Sequence, residues 1–179
     1  FGLNMVVHKG KTIFVGDTSV HEYPTSEQMA EIAISTARVV RLFGFDPKVA
    51  FVSHSTFGQP LTSRTKHIRN AVDILKEKKV DFEFDGDMQP DVALNLEYKD
   101  LYPFSKIVGK ANILIMPGQH SAAISYKMMK TLGDTKVIGP LLIGLGLPIE
   151  IAPLRSSTSE LINLASIAAY SADVIDYKK

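Results

Sequence analysis

Two stretches of this sequence carry residue types able to hold an anion. The first is "VIGPLLIGLGLPIEIAPLRSSTSELIN", residues 137–163. Its Gly139-Pro140 pair and Gly144 give backbone poor in side chains, against which a flat or chain-like ligand can lie. Arg155, Ser156 and Ser157 follow at the mouth of a helix pattern, where free amides attract phosphate and a neighbouring arginine strengthens the hold. "STSE", residues 157–160, also reads as a capping box, in which Ser157 and Glu160 satisfy each other's backbone. Capping and anion binding are compatible there. The second stretch is "SHSTFGQPLTSR", residues 53–64. Ser53, Ser55 and Thr56 offer hydroxyl donors, Gly58 permits close backbone approach, and Arg64 with Lys66 supplies positive charge. A plain strand-to-helix loop with Thr62 or Ser63 as N-cap accounts for the same residues.

Other constellations carry less. Ser53 and His54 are adjacent in an extended run, so their side chains point to opposite faces and make no nucleophile–base pair. "DFEFDGDMQPD" alternates Asp81, Glu83, Asp85 and Asp87, but its twelfth position from Asp81 is Val92 rather than a glutamate, and no helices bracket it. It reads as a solvated acidic turn. His8, His21, His54, His67 and His120 are scattered, with no His-x-x-x-His pair, so no metal is expected.

The elements that position these stretches alternate. "NMVVHKGKTIFVGDT" reads as a hairpin about Lys9-Gly10. "TSEQ" is a capping box, Thr25 with Gln28, opening a helix whose apolar positions run from Met29 to Phe43 and stop at Gly44. "KVAFVSHS" is a buried strand, residues 66–79 a helix, "VDFEF" a short strand and "ANILIMP" another buried strand. "HSAAISYKMMKTLG" is a helix closed by Gly133. "TKVIGPLLIG" reads as strand then turn, "PIEIA" as a further strand, and residues 157–176 as the last helix. Strands alternating with helices predict an α/β layered domain with a mainly parallel sheet flanked by helices. Residues 1–179 read as one domain piece, without repeat or linker. "KEKK" reads as a solvated helix end.

Composition narrows the function classes. Twenty basic against nineteen acidic side chains leave a net charge of +1, too little to grip nucleic acid or an anionic membrane surface. There is no cysteine, which excludes disulfides, thiolate metal sites and cysteine nucleophiles. No apolar run reaches spanning length, and a cytoplasmic location is expected. The chain opens on "FGLNMVV" without an initiator methionine, and we expect it to be a piece of a longer polypeptide.

With the segments laid out, the chain resembles the phosphate acetyl/butyryl-transferase family. The resemblance spans essentially the whole length and rests on "PTSEQMAEIAISTA", "FGFDPKVAFVSHSTFG", "FEFDGDMQPDVAL", "ANILIMPGQHSAAISYKMM" and "GPLLIGLGLPIEI", in the family's order. It implies a phosphotransacetylase-like fold of two α/β subdomains with a CoA site in the cleft between them. This chain corresponds to the second subdomain and the closing helix, with the first expected upstream. The family's transferases carry a serine–arginine pair and then an aspartate ahead of an "I-V-N" helix start. Aligned on "LIN", those places hold Pro153, Leu154 and Glu160, with Arg155 one step along. The family's "A-G-N-I" is "SAAI" here, with Ala123 replacing the asparagine.

These replacements remove groups that acyl transfer from CoA to phosphate needs, and one lost oxyanion donor typically costs about 10²–10³ in rate. "SHSTFG", in which transferases usually have lysine rather than phenylalanine before the glycine, resembles the phosphotransacetylase-like part of the hybrid NADP-dependent malic enzymes. That resemblance implies a non-catalytic domain that binds acetyl-CoA as an inhibitory effector and helps assemble a homo-oligomer. The expected effector contacts are Ser53, Ser55, Thr56, Gly58, Gly139, Pro140, Gly144, Arg155, Ser156 and Ser157, with no catalytic residue and no cofactor in this domain. A malic enzyme portion with NADP and Mg or Mn is expected upstream. The alternative is a working phosphate acetyltransferase in which Arg155 and Glu160 take over.

Overall fold

A computed structural model describes residues 1–174. Lys9 and Gly10 both adopt positive φ, 48° and 74°, which joins β1 (Gly2–His8) to β2 (Lys11–Gly16) in a two-residue hairpin turn. Thr25 caps α1 (Ser26–Leu42) through the expected box: its hydroxyl accepts from the Gln28 amide, and the Gln28 side chain accepts from the Thr25 amide. Then come β3 (Lys48–Val52), α2 (Ser63–Glu77), β4 (Glu83–Met88) and a short α3 (Pro90–Leu94). A 3-10 segment over Leu96–Leu101 precedes β5 (Ile113–Ile115), α4 (Gln119–Leu132), β6 (Thr135–Leu142) and α5 (Thr158–Val174). The last two residues expected in the final helix, 175 and 176, lie outside the described residues.

The strands form one sheet in the order β4-β3-β5-β2-β1-β6. β4, β3, β5 and β2 pair in parallel, and β1 alone runs against its neighbours. Each face is covered, as a mainly parallel sheet requires. On one face Phe14, Val49, Phe51, Ile113 and Leu141 pack against the apolar stripe of α1, against α2 and against Leu164 of α5. On the other, Val15, Ala50, Val52 and Leu114 meet Ala122 of α4 and Ala93 of α3.

Three expectations are corrected. Gly139-Pro140 is not a turn: it lies inside β6, where two residues face Asn4 alone and make a bulge. A side chain at position 139 would collide with the Asn4 carboxamide and the Leu3 carbonyl, so glycine there serves the molecule's own strand packing. "PIEIA" makes one isolated bridge, Leu141 with Glu150, and no strand. The acidic stretch is not a solvated turn either. Its period-2 pattern belongs to β4, with Asp85 and Asp87 buried, because backbone amides and a serine hydroxyl replace the water those carboxylates leave.

Candidate functional site

The parallel strands β2, β3 and β5 end at one edge of the sheet, and each is followed by a helix. Their loops bring the N-termini of α1, α2 and α4 around a cleft of about 520 Å3, lined by Glu22, Tyr23, Thr25, Arg64, His67, Gly118, His120 and Ser121. This is where open α/β sheets hold ligands, since amide groups and helix dipoles converge there. Gly118 caps α4 without a side chain, and a Cβ at that position would run into the Glu22 carbonyl. His120 Nε2 lies 3.4 Å from Glu22 Oε1. Both nitrogens of His67 are engaged, Nδ1 with the Ser26 hydroxyl at 3.1 Å and Nε2 with the Pro24 carbonyl at 2.9 Å. Ser26 is buried and its hydroxyl also reaches the His67 carbonyl at 2.9 Å. The pair therefore ties α1 to α2 and offers no exposed nucleophile.

The loop feeding this edge is fixed by a carboxylate below it. Asp87 at the end of β4 has no solvent exposure, and its Oδ1 accepts from the Asp87-facing Gly58 amide at 3.0 Å while Oδ2 accepts from the Ser55 hydroxyl. Thr56 Oγ1 accepts from the Gln89 amide at 3.3 Å, and Ser53 and Ser55 hydroxyls lie 3.2 Å apart. Ser55 is buried and its proton is committed to Asp87, so its part is to shape the loop. Ser53 is half-buried, and Gly58, with φ of 82°, holds a conformation costly for other residues.

A second anchored turn closes the same edge. The Asp17 carboxylate accepts from the amides of Gly2, Ser19, Val20 and His21, at 2.8–3.1 Å, and from the His21 ring at 2.6 Å. Burial pushes its pKa up, but the amide donors and the His21 ring together outweigh that and hold it below the usual carboxylate value.

The segment after β6 leaves from this edge too, at the far end of the strand order. Four strand spacings separate β3 from β6, so the two candidate loops stand roughly 19 Å apart across the sheet. Only an extended ligand bridges them. Gly144 lines a separate cleft of about 510 Å3 between α1, the end of β6 and α5, with Arg38, Leu142, Glu150, Ile167 and Tyr170. Burial in this apolar cleft raises the Glu150 carboxyl to about 7, against a smaller opposing effect of the Leu142 amide, and its Oε2 has no hydrogen-bond partner. Arg155 is exposed. Ser156 donates to the Pro153 carbonyl at 2.7 Å.

Ser157 forms the expected box with Glu160: the Ser157 amide donates to Glu160 Oε2 at 2.8 Å, and the Glu160 amide to Ser157 Oγ at 3.3 Å. Lys130 donates to Glu160 Oε1 at 2.8 Å and, with Ser157, holds the Glu160 carboxyl down at about 2. Gly139 and Pro140 sit in the sheet beside Asn4.

Glu22, Tyr23, Gly118 and Ser121 carry no motif in the sequence, and His120 stands there only as one of five scattered histidines. Their signal is positional: each follows a buried strand at its carboxyl end, ahead of a helix.

The chain is similar to known proteins over nearly its whole length. The NADP-dependent malic enzyme of Rhizobium meliloti is 47% identical over 171 residues, which are 96% of this chain and 22% of that protein. The phosphate acetyltransferase of Clostridium acetobutylicum is 34% identical over 162 residues, 89% of this chain and 49% of that one. The crystal structure of a phosphotransacetylase from Streptococcus pyogenes superposes with a TM-score of 0.90 at 31% identity, covering 96% of this chain and 53% of that one. The chain thus spans about a quarter or less of the malic enzymes it matches, and about half of the Clostridium transferase and of the Streptococcus phosphotransacetylase. With residues 2–169 matching the family description, the chain belongs to the phosphate acetyl/butaryl transferase family.

Proposed function

We propose that this chain is a non-catalytic, regulatory phosphotransacetylase-like domain that binds acetyl-CoA as an inhibitory effector of an attached NADP-dependent malic enzyme, and that it helps assemble the oligomer. The observation that carries the reading is the state of Glu160. At the place where the family's transferases carry an aspartate, this carboxylate is engaged by Lys130 and by the helix cap, and Pro153 and Leu154 replace the serine and arginine. An effector needs grip without reactive donors, whereas acyl transfer needs donors aimed at developing charge. The similarity to malic enzymes over nearly the whole chain supports the same reading. Malate oxidation, NADP and the divalent metal belong to the upstream portion, and the effector contacts proposed here are Ser53, Thr56 and Gly58 after β3 and Gly144, Arg155, Ser156 and Ser157 after β6, with Arg64 and the N-terminus of α4 beside them, while Ser55 shapes the loop through Asp87 and Gly139-Pro140 stays in the sheet.

The full polypeptide tests this in two measurements. A coupled assay with acetyl-CoA and phosphate shows no acetyl phosphate at enzymatic rates, and calorimetry shows acetyl-CoA binding that lowers malate oxidation. Turnover to acetyl phosphate restores the transferase alternative. Binding without an effect on malate oxidation removes the regulatory claim, since regulation requires different affinities for two states.

A further inference from the structure

A further cavity, of about 740 Å3, lies at the end of the sheet away from the candidate cleft, where β2, β5 and β6 begin. β2 carries six residues, so about 20 Å separate this cavity from the carboxyl edge. Its floor is apolar: Val6, Ile13 and Ala111 from the sheet, Leu94 at the end of α3, Met129 in α4 and Phe45 after α1. Gly10 and Gly133 line it without side chains to fill it.

The polar groups at its mouth follow from strand parity. Alternate residues share a face, and Val6, Ile13 and Val137 lie on the face that α3 and α4 cover. His8, Lys11 and Thr135 each stand two residues from them at the hairpin end, so they continue that face as a polar row. Lys110 joins the row. β2 pairs with β5 as Phe14 opposite Ile113, and the same offset carried back three residues sets Lys11 beside Lys110. Both lysines are exposed, and neither has a carboxylate within ion-pair distance among the described residues. No acidic side chain lines the cavity among those residues either.

The walls are fixed before anything binds. The Asn112 carboxamide accepts from the Lys48 amide at 2.8 Å and donates to the Asp46 carbonyl at 2.7 Å. The Phe14 amide donates to the Asn112 carbonyl at 2.8 Å, and the Ala111 amide to the Ala93 carbonyl at 2.9 Å. Across the cavity, His8 Nδ1 donates to the Asp134 carbonyl at 3.1 Å. A site on such a frame has little ordering cost when filled.

An apolar cavity of this size with a few charged groups at one side has the form of a small-molecule site. The carbonyl end of α4 brings about half a negative charge to one wall, and two full positive charges outweigh it. The complement is an apolar chain with an anionic head. We infer that this cavity binds an aliphatic carboxylate, its chain on Val6, Ile13, Ala111 and Met129 and its head paired by Lys11 and Lys110. The site is independent of the acetyl-CoA reading and lies at the opposite end of the sheet from the contacts proposed for that effector.

Calorimetry on the full polypeptide with hexanoate, octanoate and decanoate tests it. Affinity is expected to rise about fourfold per added methylene, the step for burying one such group. Decyltrimethylammonium, the same chain with a positive head, is expected not to bind. Lys11→Glu and Lys110→Glu, both at exposed positions, are each expected to weaken decanoate about 10-fold, the scale of a lost charge-assisted bond, and to leave acetyl-CoA affinity unchanged. Lys110→Gln, which removes the charge without reversing it, shows a smaller loss of the same sign. Decanoate that does not bind, that binds no better than its cationic counterpart, or that ignores the lysine substitutions overturns the site. Joint loss of decanoate and acetyl-CoA binding in Lys110→Glu overturns its independence. A parent protein that binds decanoate and not acetyl-CoA supports the site and removes the effector reading.

Discussion

The Ser55 hydroxyl donates to the wholly buried carboxylate of Asp87, thirty-two residues along the chain, and this bond sets the course of the loop between β3 and α2. A buried charge is tolerated only when its hydrogen bonds are complete, and the Gly58 amide supplies another. Ser55→Ala is expected to cost about 1.5–3 kcal/mol of folding stability, the range for a hydrogen bond to a charged group. Ser53→Ala, at a half-buried position without such a partner, should cost much less. Urea titrations of the two variants check the order, and equal losses would count against the role given to Asp87.

Asp17 organises the neighbouring turn. Because its folded pKa lies below the unfolded value, it adds stability that is full above the unfolded pKa and is lost as pH falls through the folded one. Asp17→Asn is expected to remove about 2–3 kcal/mol at pH 7, since a neutral amide cannot accept all the amides now directed at it. The difference from the parent should shrink in acid. Thermal melts across pH 3–7 measure it.

Glu150 has the opposite sign. Its folded pKa, about 7, lies above the unfolded value, so the protein loses stability as pH rises from the unfolded pKa toward 7, and the loss is complete above it. Glu150→Gln, which stays neutral, is expected to raise stability at pH 8 by about 1 kcal/mol, since solvent screens this half-buried carboxyl, and to change little at pH 5. Denaturation at the two pH values decides this.

Arg155 is exposed and outside both clefts. If it contacts a CoA phosphate, Arg155→Ala weakens acetyl-CoA by about 1–3 kcal/mol in calorimetry on the full polypeptide. Unchanged affinity makes it a surface residue.

Much of the architecture was legible because it depends on local chemistry. The capping boxes at Thr25 and Ser157, the Lys9-Gly10 turn and the apolar stripe of α1 each involve residues within a few positions of one another, so neighbours in the chain are enough to determine them. The family's order of motifs was visible for the same reason. What the chain alone left undecided depends on partners far along it. The aspartates of "DFEFDGDMQPD" look like a solvated turn until Ser55, Gly58 and Lys106 arrive to satisfy them, and Gly139-Pro140 looks like a turn until Asn4 fills the space beside it. The site follows the same division: the residue types for holding an anion stand in the sequence, but only the sheet order sets the two loops four strands apart and gathers three helix N-termini along one edge. Strand order and burial are long-range quantities, fixed by which apolar faces pack together and which buried polar groups find each other. No local pattern encodes them.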